Sequence, residues 1–200
     1  PKLKNLFWET TLRCNANCKH CGSRAGENIN IKDELTTEEI KKTLQDIANK
    51  YDAREILINV TGGEPLLRQD LFEVMEFANN LGYYWGMTTN GILINDNIIK
   101  KMKQTGMRTI SISLDGLEKS HDEFRQVKGS YKKIIENVKK LKQTNFLNYL
   151  QITTVVNKSN INELEELYNE IKLLQIDSWR ILNMEPIGRT ADNPELLLSG

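Results

Sequence analysis

Residues 14–21 read CNANCKHC and hold every cysteine of the 200-residue chain, three thiols separated by gaps of three and two residues. A disulfide framework fits this count poorly, because one thiol is left over, and metal binding is the better default for such close spacing. Thiolates favour soft metals, and three from one short loop can wrap one face of a cube-shaped iron–sulfur cluster, each on a different iron. The fourth iron then has no protein ligand, which is the open coordination site a catalytic cluster needs. Two other readings stand beside this one: a structural zinc knuckle built from Cys14, Cys18, Cys21 and His20, and three unrelated reduced thiols. Structural zinc usually joins two ligand pairs separated by a longer segment, and His20, adjacent to Cys21, is badly placed to complete a tetrahedron.

Outward from this loop, apolar β-branched runs alternate with longer amphipathic ones. Strands are expected near 5–12, 55–60, 83–89, 107–114, 149–156 and 178–184. Helices are expected near 37–50, 69–81, 95–104, 131–143 and 161–174, with apolar residues at three- and four-residue spacing such as Ile40, Leu44 and Ile47. Thr36 or Thr37 ahead of Glu38 and Glu39, and Asn160 ahead of Glu163, read as N-terminal caps. Strict strand–helix alternation argues the α/β class with a parallel sheet or barrel, in one domain.

The 27 basic and 27 acidic side chains cancel and are interspersed, which removes the electrostatic footprint of a nucleic-acid or anionic-membrane binder. No apolar run approaches the roughly 20 residues that span a bilayer, and PKLKNLFWE lacks the features of a signal peptide. The chain reads as cytoplasmic.

In folds of this class ligands sit at the C-terminal ends of the strands. The chemically unusual stretches fall there: the cysteine loop, TGGEP (61–65), TTNG (88–91), SLDG (113–116), NKSN (157–160) and MEP (184–186). Gly62 and Gly63 let backbone approach a ligand, Glu64 offers a carboxylate to a cationic amine, and Pro65 suits the first position of a helix. ISISLD alternates polar and apolar residues, so that one polar face points inward. Asn90-Gly91 and Asp115-Gly116 are also good turn signals. Arg125 by default is a solvated helix-face residue, His121 reads as a cap or structural group, and the face of Glu9 is open.

Cys14, Cys18 and Cys21 in C-x3-C-x2-C spacing after a first strand, with TGGEP after the second, resemble the radical S-adenosylmethionine (radical SAM) superfamily, and the likeness runs to about residue 189. The resemblance implies a partial (β/α)6 TIM-like parallel barrel with a [4Fe-4S] cluster on the three cysteines and S-adenosylmethionine on the open iron. It implies that the GGE stretch holds the methionine ammonium, that Thr89 and Asn90 approach the ribose or the substrate, and that Ser113 contacts the ribose or methionine part. Asn157 and Met184 stand where relatives hold the adenine, and Arg125, in an H-D-x-x-R pattern, where it can pair with the cofactor carboxylate. The residue before the third cysteine is usually aromatic or apolar and packs near the adenine, and here it is His20.

The implied chemistry is reduction by an external donor such as flavodoxin or ferredoxin, reductive cleavage of S-adenosylmethionine, and hydrogen-atom abstraction from a substrate by a 5′-deoxyadenosyl radical. LFWETTLRCNANCKHCGSRAG and NMEPIGR look closest to the SPASM-type branch, which modifies peptides or proteins and carries a cysteine-rich C-terminal domain; no cysteine follows Cys21 here. A peptide or protein side chain is therefore the leading substrate class, a small cofactor or metabolite the second, and a non-catalytic zinc or iron–sulfur module the alternative from another class. Residues 1–189 read as the core domain, and 190–200 as a tail that either packs on the barrel or leads to a further domain.

Overall fold

The structure, a computed structural model, describes residues 2–26, 29, 30 and 32–198. Six strands, β1 (Asn5–Glu9), β2 (Leu57–Thr61), β3 (Tyr84–Thr89), β4 (Met107–Ser113), β5 (Tyr149–Val156) and β6 (Ser178–Asn183), form one parallel sheet in sequence order. Each pair is joined over helices: α1 (Thr37–Ala48), α2 (Leu71–Asn80), α3 (Asp96–Gln104), α4 (Glu118–Arg125), α5 (Ser130–Thr144) and α6 (Leu164–Leu173). The sheet is an open partial barrel of the α/β class, with β1 and β6 at its two edges. No helix among the described residues is long and apolar enough to cross a membrane.

Period-two alternation decides which face is wet. Ile58 and Val60 of β2, Ile110 and Ile112 of β4, and Leu150 and Ile152 of β5 are buried beneath the helices with Leu44, Val74, Met102, Val138 and Leu167. Their neighbours Asn59, Thr61, Thr109, Ser111 and Gln151 face the other way and line a cavity of about 430 Å³ on the concave side. Phe7 lines the same cavity, so Glu9, two residues on, shares its face, whereas Trp8 lies opposite under Arg68. The ISIS alternation in β4 thus does what its pattern implies, placing hydroxyls inside and isoleucines outside.

Thr36 caps α1 in a reciprocal box with Glu39. Asn160 does not cap α6: its amide donates to the carbonyls of Asp115 and Val155 and its oxygen accepts from Asn157 N–H, so its side chain is spent on buried loop backbone. β1 ends at Glu9 rather than continuing to residue 12, since Thr10 and Thr11 turn down beside the loop after β2. Helix α4, absent from the sequence reading, is mostly polar (EKSHDEFR), with Phe124 its one large apolar side chain.

Candidate active site

The cysteine loop is fastened at both ends by the protein's own hydrogen bonds. Cys14 N–H donates to Gly26 O, Gly26 N–H to Leu12 O, and Lys19 N–H to Phe124 O on α4. From the other end of the chain, Arg189 donates through Nε to Cys18 O at 2.8 Å and through Nη2 to Ala25 O at 2.9 Å. Arg24 pairs with Asp192, and Asn193 donates to Lys19 O, so residues 188–193 lie on the loop. Residues 199 and 200 of the expected tail lie outside the described residues. Arg189 was not singled out from the sequence; its only signal was its place at the end of NMEPIGR.

The glycines after β2 are there for contact. Gly63 N–H donates to Thr11 O at 2.6 Å, and a Cβ on Gly63 would stand 2.3 Å from Arg13 O. Gly62 adopts φ +141°, and a Cβ there would stand 2.5 Å from Thr11 O. Two backbone segments therefore run together beneath the loop, and any larger residue would push it away.

Cys14, Cys18 and Cys21 line one cleft of about 200 Å³ together with His20, Gly62, Gly63, Thr89, Asn90, Ser113 and Arg125. Six separate chain segments meet there: the ends of β1 to β4, as the strand-end pattern predicts, together with Arg125 of α4 and Arg189. Glu64, Asn157 and Met184 are buried but are not among its lining residues. The Glu64 carboxylate accepts from Thr89 Oγ1, Asn90 N–H and Leu66 N–H, and holds the TTNG turn against the GGEP turn. Burial nonetheless pushes its carboxyl above the usual range, against those hydrogen bonds. Asn157 accepts from Ser159, closing its own turn.

Arg125 is buried rather than solvated. It bonds Asp115 Oδ2 at 2.5 Å, and its Nη1 lies 3.5 Å from Cys18 Sγ. Burial opposes ionisation of Asp115, but the Arg125 guanidinium holds its carboxyl below the ordinary value. His121, as read from the sequence, is structural: its Nδ1 accepts from Asp115 N–H at 3.0 Å. Asn90 donates to Asn15 Oδ1 at 2.7 Å and lies 3.9 Å from Cys14 Sγ.

Three thiols of one short loop facing one cleft are a donor set that a cluster can use, each thiolate on a different iron. His20 is stacked on Phe124, with ring centroids 4.6 Å apart, as a packing residue would be. Burial pushes the Cys14 thiol up to about 11, so that its thiolate calls for a cationic partner in the cleft.

Residues 8–171 match the family model of the Radical SAM superfamily. The AdoMet-dependent heme synthase of Methanosarcina barkeri is 32% identical over 98% of this chain and 54% of its own. The mycofactocin maturase MftC of Mycolicibacterium smegmatis is 29% identical over 94% of this chain and 46% of its own. The chain thus spans about half the length of the curated relatives it matches. The crystal structure of Streptococcus suis SuiB bound to S-adenosylmethionine has the same fold, with a TM-score of 0.75, 18% identity, and coverage of 92% of this chain and 41% of that one.

Proposed function

The chain belongs to the radical SAM superfamily, and from that premise we propose that its cleft and concave cavity together abstract hydrogen from a small organic substrate. The family works with a [4Fe-4S] cluster and S-adenosylmethionine, whose reductive cleavage supplies a 5′-deoxyadenosyl radical.

Cys14, Cys18 and Cys21 would hold the cluster. Gly62 and Gly63 would let backbone meet the methionine end of S-adenosylmethionine, Thr89, Asn90 and Ser113 would face its ribose, and His20 would pack near its adenine. Glu64 acts behind them, fixing Thr89 and Asn90. Asn157 and Met184 support the rim. One observation carries the reading: the cleft that holds all three thiols shares Thr61 and Thr88 with the polar concave cavity, so a reactive carbon held in the first opens onto a substrate held in the second.

A small molecule fits the cavity of about 430 Å³, and the heme synthase relative matches nearly the whole chain. A peptide side chain is the second reading, favoured by the maturase relative and by the open edge between β1 and β6. The test is 5′-deoxyadenosine formation by the full-length protein, reconstituted anaerobically with dithionite and S-adenosylmethionine. Stimulation by the low-molecular-mass metabolites of the source cells, and not by their peptides, supports the first reading; the reverse replaces it with the second.

A further inference from the structure

We propose that Arg180 makes the concave cavity a carboxylate-selective site, so that the substrate is an organic acid. This rests on the cavity being the substrate space.

The sheet itself places the side chain. Trp179 donates through Nε1 to Thr154 Oγ1 at 2.8 Å and packs against the core, so it belongs to the helix-covered face. Arg180, next along β6, falls on the opposite face, and it lines the cavity. It is the one charged residue among those lining that cavity; the rest are hydroxyl, amide, aromatic and aliphatic groups or glycine. Glu9, the other charged side chain located on this face, stands on the far edge strand and is not among the lining residues.

Arg180 also makes no side-chain hydrogen bond or salt bridge with another described residue. That is unusual here, because the arginines that build the site are all engaged: Arg125 with Asp115, Arg68 with Asp70, Arg189 with two carbonyls. A guanidinium presents a planar fork that matches a carboxylate in two hydrogen bonds. Gln151 and Ser111, which line the cavity, already bond one another and Thr153, and the fork is the one charged donor among the lining groups.

Its height along the strands gives it a role in positioning. Arg180 pairs in register with Thr153, and Thr153 with Ser113, which lines the cysteine cleft. Two strand spacings separate Arg180 from Ser113, about 10 Å. An acid anchored by its carboxylate at Arg180 would extend across the sheet toward the cleft. Phe7 and Tyr149, both exposed and both lining the cavity, offer apolar surface to the remainder of such a molecule.

Saturation-transfer NMR on the full-length reconstituted protein tests this with a matched pair of probes, 3-phenylpropionate and 3-phenylpropanamide, which differ only in charge at one end. The wild type is expected to bind the acid about tenfold more tightly than the amide, the size of one charge-assisted pair. Arg180→Gln should abolish the preference and Arg180→Lys retain part of it, with melting midpoints near that of the wild type because the side chain is exposed. Equal binding of acid and amide, no binding of the acid, or a preference that survives in Arg180→Gln would overturn the proposal. 5′-Deoxyadenosine formation by the same wild-type sample separates the two claims: its absence counts against the radical reading, while the charge preference still decides the role of Arg180.

Discussion

Arg125 Nη1 lies 3.5 Å from Cys18 Sγ while its Nε bonds Asp115, so one buried guanidinium joins a thiol of the cysteine loop to a buried carboxylate. A cation beside a cluster thiolate stabilises the more reduced state, and hydrogen bonds to sulfur raise a cluster's potential. Replacing Arg125 by Gln together with Asp115 by Asn, which leaves no unpaired buried charge, should keep the cluster bound. It should lower the midpoint potential by about 60 mV, the one-electron equivalent of a tenfold change in equilibrium constant. A redox titration followed by electron paramagnetic resonance reads it; an unchanged potential would show the contact to be structural. The single variant Arg125→Gln should in addition lose about 3–5 kcal/mol of stability, because Asp115 is left buried and unpaired.

Glu64 acts through the turns it ties together. In Glu64→Ala, Thr89 Oγ1, Asn90 N–H and Leu66 N–H lose their common acceptor. Stability should fall by about 2–4 kcal/mol, and binding of S-adenosylmethionine should weaken in step. Glu64→Gln, which keeps one acceptor oxygen, should recover part of both in calorimetry. Loss of binding without loss of stability would instead place the carboxylate directly on the ligand.

Gly63→Ala puts a methyl group 2.3 Å from Arg13 O, a backbone atom with no flexible side chain to give way. Relief requires the segment entering the cysteine loop to move, so iron incorporation on reconstitution should drop several-fold and the melting midpoint should fall, at a cost of about 1–3 kcal/mol. Normal iron content in this variant would mean that the loop is not set by that approach.

His121 titrates low, at about 4, because it is buried, which outweighs the opposing pull of the Asp115 carboxylate. Its Nδ1 already accepts from Asp115 N–H, and a proton there would face another donor. The unfolded chain takes up this proton from about pH 6.5 downward and the folded chain only near 4, so the contribution is present above pH 6.5 and lost as pH falls through that window. At about 1.4 kcal/mol per pH unit the loss amounts to up to about 3 kcal/mol. His121→Asn, which keeps an acceptor and cannot titrate, should flatten the acid limb of a melting-temperature profile; parallel profiles would contradict this.

The fold was legible because its two periodicities are clean. Every expected strand exists, and the convergence of strand ends on one rim follows from parallel topology alone. Helix α4 was not legible, since its burial comes from His121, Phe124 and Arg125 packing around a charged group that hydropathy counts as surface. The same blindness hid the inward pairing of Arg125, which needs Asp115 ten residues upstream, and the clamp by Arg189, which needs a carbonyl 171 residues away. The motif marks Glu64 as a ligand residue but carries no sign of the hydrogen bonds its carboxylate accepts from Thr89, Asn90 and Leu66, which depend on the direction of the side chain. The side on which Glu9 lies needed the pairing register, which short strands do not declare.

The central claim is that the three-cysteine loop builds a cluster with one open iron rather than a zinc knuckle. Anaerobic reconstitution of the full-length protein, with iron and sulfide analysis and with dithionite and S-adenosylmethionine added, tests it most directly. The account predicts about four iron and four sulfide on the Cys14–Cys21 loop, with 5′-deoxyadenosine formed and abolished in Cys18→Ala. About one zinc, no sulfide and no 5′-deoxyadenosine would contradict it.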